Sequence, residues 1–123
     1  MKAIIPERGG IYRVNLDPAF GSEQGGTRPC IVIQNDTGNI QSTTTIVIPL
    51  SSKVPKREYP FQVVFGPHET GLSRRSLAKC DQIQVISIEH RLKEKLGSLT
   101  DDAMRRIEQA ILFELDISPE NHL

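Results

Sequence analysis

Gly21-Ser22-Glu23-Gln24-Gly25-Gly26-Thr27-Arg28-Pro29 leads, without a large apolar side chain, into Cys30-Ile31-Val32-Ile33. A flexible polar loop that meets a stiff apolar strand reads as the rim of a sheet, and the loop's one arginine stands at that junction. Glycines admit positive φ and the close approach of another chain, while Pro29 fixes its own φ and biases Arg28 toward extended geometry. The guanidinium therefore leaves the sheet from a defined place. That is a good position from which to hold a charge over a substrate.

Working outward, the strand after the loop, at residues 29–34, is apolar on both faces and is predicted to be central. Before the loop, Gly9-Gly10 opens a strand in which Tyr12, Val14 and Leu16 alternate with Arg13 and Asn15, and Asp17-Pro18 stops it. Beyond the central strand, Asn35-Asp36-Thr37-Gly38-Asn39 reads as a turn, and residues 44–50, rich in β-branched side chains, read as a third strand. The mostly basic connection Lys53-Val54-Pro55-Lys56-Arg57-Glu58 precedes a fourth strand at residues 59–65. Pro60 sets the start of that strand at an edge, because proline cannot donate to a ladder. Gly66-Pro67-His68-Glu69-Thr70-Gly71 turns the chain, and residues 76–85 read as one fifth strand.

Residues 88–95 read as a short helix of mixed charge. Thr100 followed by Asp101-Asp102 is a helix start, a cap with two carboxylates on the positive end of the dipole. Met104, Ile107, Ile111 and Leu115, widened by Ala103 and Ala110, form the apolar stripe of that helix. Pro119 is expected to end it and residues 120–123 to fray. Five short strands with one closing helix predict a mainly β fold with accessory helices, a strongly bent antiparallel sheet or partly open barrel that hides its edges by curling. Its length suits one domain over residues 1–123.

Lys plus Arg balance Asp plus Glu at 15 each. Residues 1–88 hold ten basic and seven acidic side chains (+3), and residues 89–123 hold five and eight (−3). Zero net charge argues against non-specific binding to long nucleic acid, yet the split is compatible with a basic working face backed by an acidic helical segment. Pro6 and Glu7 interrupt the apolar start, so a signal peptide is not expected, and no later run reaches membrane-spanning length. The expectation is a cytoplasmic protein with no membrane association. Cys30 and Cys80 have no C-x-x-C partner and are expected to pack as small buried hydrophobes.

Three places put small polar or basic residues where a curled sheet can gather them at one rim: Ser22, Gln24 and Arg28; Ser51, Ser52 and Lys53; Arg74 and Arg75. Singly, such residues are more often turn serines and solvated arginines, so the convergence carries the reading. His68, His90 and His122 lack ligand spacing, Asp81 stands alone, and Asp101-Asp102 are explained by the helix start, so neither a metal nor a cofactor is expected. No G-x-S-x-G elbow occurs. A set of Arg, Ser, Gln and backbone N–H groups suits an oxyanion, phosphate above all, because a guanidinium offers planar bidentate donors.

Arg8-Gly9-Gly10-Ile11-Tyr12, Leu16-Asp17-Pro18, the block from Gly21 to Pro29, Val32-Ile33-Gln34-Asn35-Asp36, Pro49-Leu50-Ser51 and Asp81-Gln82-Ile83 together resemble the MazF/PemK family of toxin endoribonucleases. The glycine-rich block is the specific signal; the likeness spans most of the chain. The resemblance implies an SH3-like or PemK-type barrel, a homodimer, and metal-independent, sequence-specific cleavage of single-stranded RNA to a 2′,3′-cyclic phosphate and a 5′-hydroxyl. It also implies a cognate MazE-like antitoxin that blocks the RNA groove. Carried over by position, it makes Arg28 catalytic and assigns the assisting hydroxyl to Ser51, where the family has a Thr. Gly10 stands where the family commonly has an acidic residue, and Gln84 where it often has an Arg.

Within that resemblance Arg28 chiefly stabilises the phosphorane and protonates the leaving oxygen, since a guanidinium in water keeps its proton below about pH 12, while Ser51 holds a nonbridging oxygen. Phe20, Ser22, Gln24 and Gln82 are the expected base readers; Lys53, Lys56, Arg57, Arg74 and Arg75 are the expected phosphate contacts; Glu23 and Ser52 are expected to bind the RNA as well. Two rivals share the barrel: a gyrase-poisoning toxin, whose activity relies on a Trp near the C-terminus that this chain lacks, and an inactive binding module.

Overall fold

The computed structural model describes residues 4–119; the readings of Met1-Lys2-Ala3 and of residues 120–123 lie outside them. Seven strands and four helices follow in the order β1 (Gly10–Asn15), β2 (Thr27–Val32), α1 (Asp36–Gln41), β3 (Thr44–Ser51), β4 (Gln62–Phe65), α2 (Pro67–Thr70), β5 (Ser76–Lys79), β6 (Gln84–Ser87), α3 (Ile88–Arg91), β7 (Leu92–Ser98) and α4 (Asp101–Glu114). The strands run β4-β5-β3-β2-β1-β7, with β6 also on β3, and every pairing is antiparallel. This is the mainly antiparallel fold with accessory helices expected from the sequence.

The central strands are buried on both faces because their two side-chain parities feed two cores. Ile11, Ile31, Ile48 and Leu50 pack with Phe65, Ala103 and Ile107 beneath α4. Tyr12, Val14, Cys30, Val32 and Val47 pack on the other face with Ile86, Ile88 and Leu92. A strand covered on both sides reads as a continuous apolar run, and β2 lies between β1 and β3, as expected. The apolar stripe of α4 buries Ala103, Ile107 and Ala110 on the sheet, and Thr100 Oγ1 accepts from Ala103 N at 3.2 Å as its cap.

The structure corrects several sequence readings. Residues 35–39 are no simple turn: Asn35 caps α1, its side chain accepting from Gly38 N at 2.8 Å, and buried Asn39 accepts from Thr45 Oγ1 at 2.6 Å, tying α1 to β3. Residues 67–70 likewise wind into α2. The single strand expected at 76–85 is two, broken by a 3₁₀ turn at Cys80–Gln82. β5 pairs with Leu50 and Ser51 at one end of β3, and β6 with Thr44 to Val47 at the other. One straight strand cannot serve both. The helix expected over 88–95 lasts four residues, after which β7 covers the outer edge of β1.

β4 begins at Gln62 rather than residue 59, because Gln62 N donates to Tyr59 O at 2.9 Å and turns the segment; β4 is an edge strand, in keeping with Pro60. α4 stops at Glu114, ahead of Pro119: Leu115 closes it and is exposed, and Asp116 takes φ 54°. Both cysteines are free and buried. Among the described residues, no helix is long and apolar enough to cross a membrane.

Candidate active site

The loop joining β1 to β2 is held at its base and along its length. At the base, Leu16 N donates to Gly26 O and Gly26 N to Asp17 Oδ1, both at 2.9 Å, and Gly26 adopts φ 82°, a conformation that suits glycine. Arg91, at the end of α3, donates through Nη1 to Asn15 O (2.9 Å) and Asp17 O (2.6 Å). At the tip, Phe20 N donates to Glu23 Oε1 at 2.8 Å. Along its inner side, Gln24 N donates to Gln82 Oε1 at 3.0 Å, and Lys79 Nζ donates to Gln24 Oε1 at 2.7 Å. A polar, glycine-rich loop thus becomes a fixed wall.

The register of β2 on β3 pairs Cys30 with Pro49, Ile31 with Ile48 and Val32 with Val47. Continued by two residues, it sets Arg28 opposite Ser51, and directly opposed residues project on the same face. Arg28 reaches across: Nε donates to Gly25 O at 2.9 Å and Nη1 to Leu50 O at 3.3 Å. A guanidinium has five N–H donors, so three remain for a ligand. Ser51 is 9% exposed, and its Oγ accepts from Lys53 N at 3.2 Å, which leaves the hydroxyl proton free to donate.

Arg28, Ser51 and Ser52 line both of two neighbouring clefts. One, of about 400 Å³, continues past Pro29, Leu50 and Leu72 to Arg74 and Arg75. The other, of about 310 Å³, is closed by Gln24, Ser52, Lys53 and Lys79. Neither is lined by an acidic residue. A larger concavity, about 790 Å³, is walled mainly by Ile5, Ile40 and Ile88; Thr43, Ser87, Glu89 and His90 also line it, but no lysine or arginine does, and a carboxylate is present. Convergent polar groups, rather than size, single out the smaller pair.

Residues 7–114 match the family described as PemK-like, MazF-like toxin of type II toxin-antitoxin system. The chain belongs to the MazF/PemK family of toxin endoribonucleases. Endoribonuclease EndoA of Bacillus subtilis (strain 168) is 38% identical to it over 112 residues, 91% of this chain and 96% of that protein. Among solved structures, MazF of Deinococcus radiodurans shares the fold with a TM-score of 0.78 at 23% identity, over 93% of this chain and 99% of that one. A mycobacterial endoribonuclease solved in complex with its cognate antitoxin shares it with a TM-score of 0.75 at 24% identity, over 92% and 97%.

Within this toxin family's fold, the sequence-predicted site residues divide. Arg28, Ser51, Ser52, Lys53 and Gln24 meet at the inner cleft, and Arg74 and Arg75 line the outer one. Lys56 and Arg57 line neither: the Arg57 guanidinium lies 5.4 Å over the Tyr59 ring, itself stacked on Phe61 with centroids 5.4 Å apart. Phe20, 73% exposed, stands at the loop tip outside both clefts. Gln82 braces the loop, its Nε2 donating to Ser22 O at 3.5 Å. Glu23 lies with Asp81, Gln82 and Gln84 around a separate depression of about 180 Å³.

Gly10, one departure from the pattern the resemblance implied, has a local explanation. At Gly10 a Cβ would meet the Tyr12 ring at 2.7 Å, so a side chain there requires that ring to move. Lys79 and Arg91 were missed by sequence reasoning; the readable signal for Lys79 is a lone cation in the apolar run Leu77-Ala78-Lys79-Cys80. Burial pushes the Cys30 and Cys80 thiols up to about 12, the Cys80 rise helped by Asp81 and Glu114, which makes both poor nucleophiles. Among the described residues, no three His, Cys, Asp or Glu side chains gather as a metal-binding group.

Proposed function

We propose that the chain cleaves single-stranded RNA at a short sequence without a metal ion, and that Arg28 and Ser51 carry the reaction. One observation supports this above the rest: a guanidinium with three open donors and a hydroxyl with a free proton line the same two clefts, which no carboxylate lines. That arrangement suits the charge that develops on a phosphorane. Acids in the same place would repel it.

In the step itself the ribose 2′-oxygen loses its proton to water and bonds to phosphorus, and the bond from phosphorus to the 5′-oxygen breaks. Arg28 stabilises the charge on the nonbridging oxygens and delivers a proton to the departing 5′-oxygen, regaining one from solvent. Ser51 donates to a nonbridging oxygen. The products are a 2′,3′-cyclic phosphate and a 5′-hydroxyl. The cations at the cleft mouths, Lys53, Arg74 and Arg75, take the flanking phosphates, and bases unstacked from the strand are read along the loop wall from Ser22 to Gln24. We read the toxin as a cytoplasmic homodimer restrained by a cognate MazE-like antitoxin; the antitoxin part of that reading is supported by the mycobacterial relative solved with its own.

The test is incubation of purified protein with a long mixed-sequence RNA in EDTA, followed by mapping of the 5′ ends. Cuts at one recurrent motif with 5′-hydroxyl ends are expected. Arg28→Ala should slow them by about 10²–10³ or more, the usual loss on deleting a preorganised donor. Intact RNA with the wild-type protein, or undiminished cleavage by Arg28→Ala, would overturn the assignment.

A further inference from the structure

Lys79, at the end of β5, lines the inner cleft together with Gln24, Arg28, Ser51, Ser52 and Lys53. Among the described residues it belongs to no ion pair. An ammonium has three donors and no acceptor; one goes to Gln24 Oε1 at 2.7 Å. Only the oxygen of an amide can accept from an ammonium, so this bond also fixes which way Gln24 faces. Its Nε2 is left toward Gly25 O at 3.4 Å, the carbonyl that receives Arg28 Nε at 2.9 Å. Lys79 is thus coupled to the guanidinium through one side chain and one carbonyl, with two donors still open beside it.

We propose that Lys79 is a substrate-binding residue of this site: its ammonium takes a nonbridging oxygen of the RNA phosphate next to the one held by Arg28 and Ser51. Through Gln24 it also keeps the loop wall and the guanidinium in place. The inference rests on the RNA-cleavage reading above. A lysine needed only to brace the loop would have no reason to stand in an acid-free cleft. A lysine needed only for charge would not spend its shortest bond on Gln24.

The experiment measures binding of a 2′-O-methyl oligoribonucleotide, which cannot be cut, carrying the motif mapped from the mixed-sequence RNA. Wild type, Lys79→Met, Lys79→Gln, Lys79→Arg and Gln24→Met are compared across salt concentrations, with thermal unfolding as the check on folding. Losing a hydrogen bond to a charged group predicts about tenfold weaker binding for Lys79→Met. Losing one phosphate contact on a single strand predicts a fall of about 0.7 in the slope of log affinity against log salt. Lys79→Gln, which can still hydrogen-bond Gln24, should show the same loss of slope. Lys79→Arg and Gln24→Met should keep the wild-type slope.

An unchanged slope in both neutral variants, or full rescue by Lys79→Gln, would overturn the phosphate contact. Arg28→Ala is assayed for cleavage beside them. If it still cuts, the underlying reading fails. If it is inactive while Lys79→Met binds and cuts as wild type, only the role of Lys79 fails.

Discussion

The hydroxyl at residue 51 offers the sharpest test of the proposed chemistry, because the substitution is small and its two consequences separate. Ser51→Ala removes the acceptor of Lys53 N (3.2 Å) and the donor proposed for the phosphate. The first loss is a partly exposed backbone contact, worth about 1 kcal/mol of stability. The second is a preorganised donor to a developing oxyanion, for which about 2.7–4 kcal/mol, or 10²–10³ in rate, is typical. The rate effect should therefore exceed the stability effect by about one to two decades. Ser51→Thr keeps the hydroxyl, and its added methyl can enter one of the two clefts that residue 51 borders. Stiffening at χ1 is its main cost, so its rate should stay within about threefold of wild type, a difference below 1 kcal/mol. The assay is single-turnover cleavage of an oligonucleotide at saturating protein, with urea unfolding alongside. Ser51→Ala cutting within threefold of wild type, or Ser51→Thr falling as far as Ser51→Ala, would refute the reasoning.

Two further outcomes follow from packing and burial. A Cβ at Gly97 would lie 2.2 Å from Thr70 O, a backbone atom that cannot rotate away, so Gly97→Ala should push β7 off α2. The loss should reach the upper end of the overpacking range, about 3 kcal/mol, and an unmoved urea midpoint would show that the contact is not tight. For the thiols, burial raises both from 9.0 to about 12. Between those values the unfolded chain binds fewer protons than the folded one, so stability present below about pH 9 declines as pH rises toward 12. The raised Tyr12 hydroxyl adds to the same decline above pH 10. Replacing both cysteines with Ala should flatten this alkaline limb in stability measured against pH; an unchanged limb would sink the account.

The strands that local pattern could reveal were those whose partners are also their neighbours in sequence. β1, β2 and β3 form consecutive antiparallel pairs, and alternation or a double-sided apolar run marks each of them. The break at Cys80–Gln82 and the strand from Leu92 were missed because the fate of those residues is decided at a distance. Leu77 to Val85 has strand-like composition throughout, but Cys80 N donates to Phe61 O at 3.0 Å, which turns the chain out of line so that β6 can find the far end of β3. Leu92-Lys93-Glu94-Lys95-Leu96 has good helix formers, yet β1 needs an outer partner, and pairing wins over propensity. The site divides the same way. Arg28 was legible from a local junction of loop, proline and strand. Lys79 and Arg91 were not, since each acts on a loop more than fifty residues earlier in the chain.

Zero net charge and a site for a polyanion are reconciled by how the cations are sorted. Arg8, Arg13, Lys95, Arg105 and Arg106 are each within ion-pairing distance of a carboxylate, on Glu108, Glu94, Glu7, Asp102 and Glu69 respectively. Arg28, Lys53, Arg74, Arg75 and Lys79, which line the two clefts, form no ion pair among the described residues. Five carboxylates are thus paired with cations that line neither cleft. At physiological ionic strength a charge acts over about 8 Å, so a strand lying in the clefts meets their cations far more strongly than the acids paired elsewhere. Whole-chain neutrality weakens attraction to distant nucleic acid, while the local field suits the proposed binding of a short single strand in the clefts at Arg28 and Ser51. For the motif-specific cleavage proposed above, this sorting serves better than a uniformly basic surface, because affinity then depends on occupying the clefts and not on touching the protein anywhere.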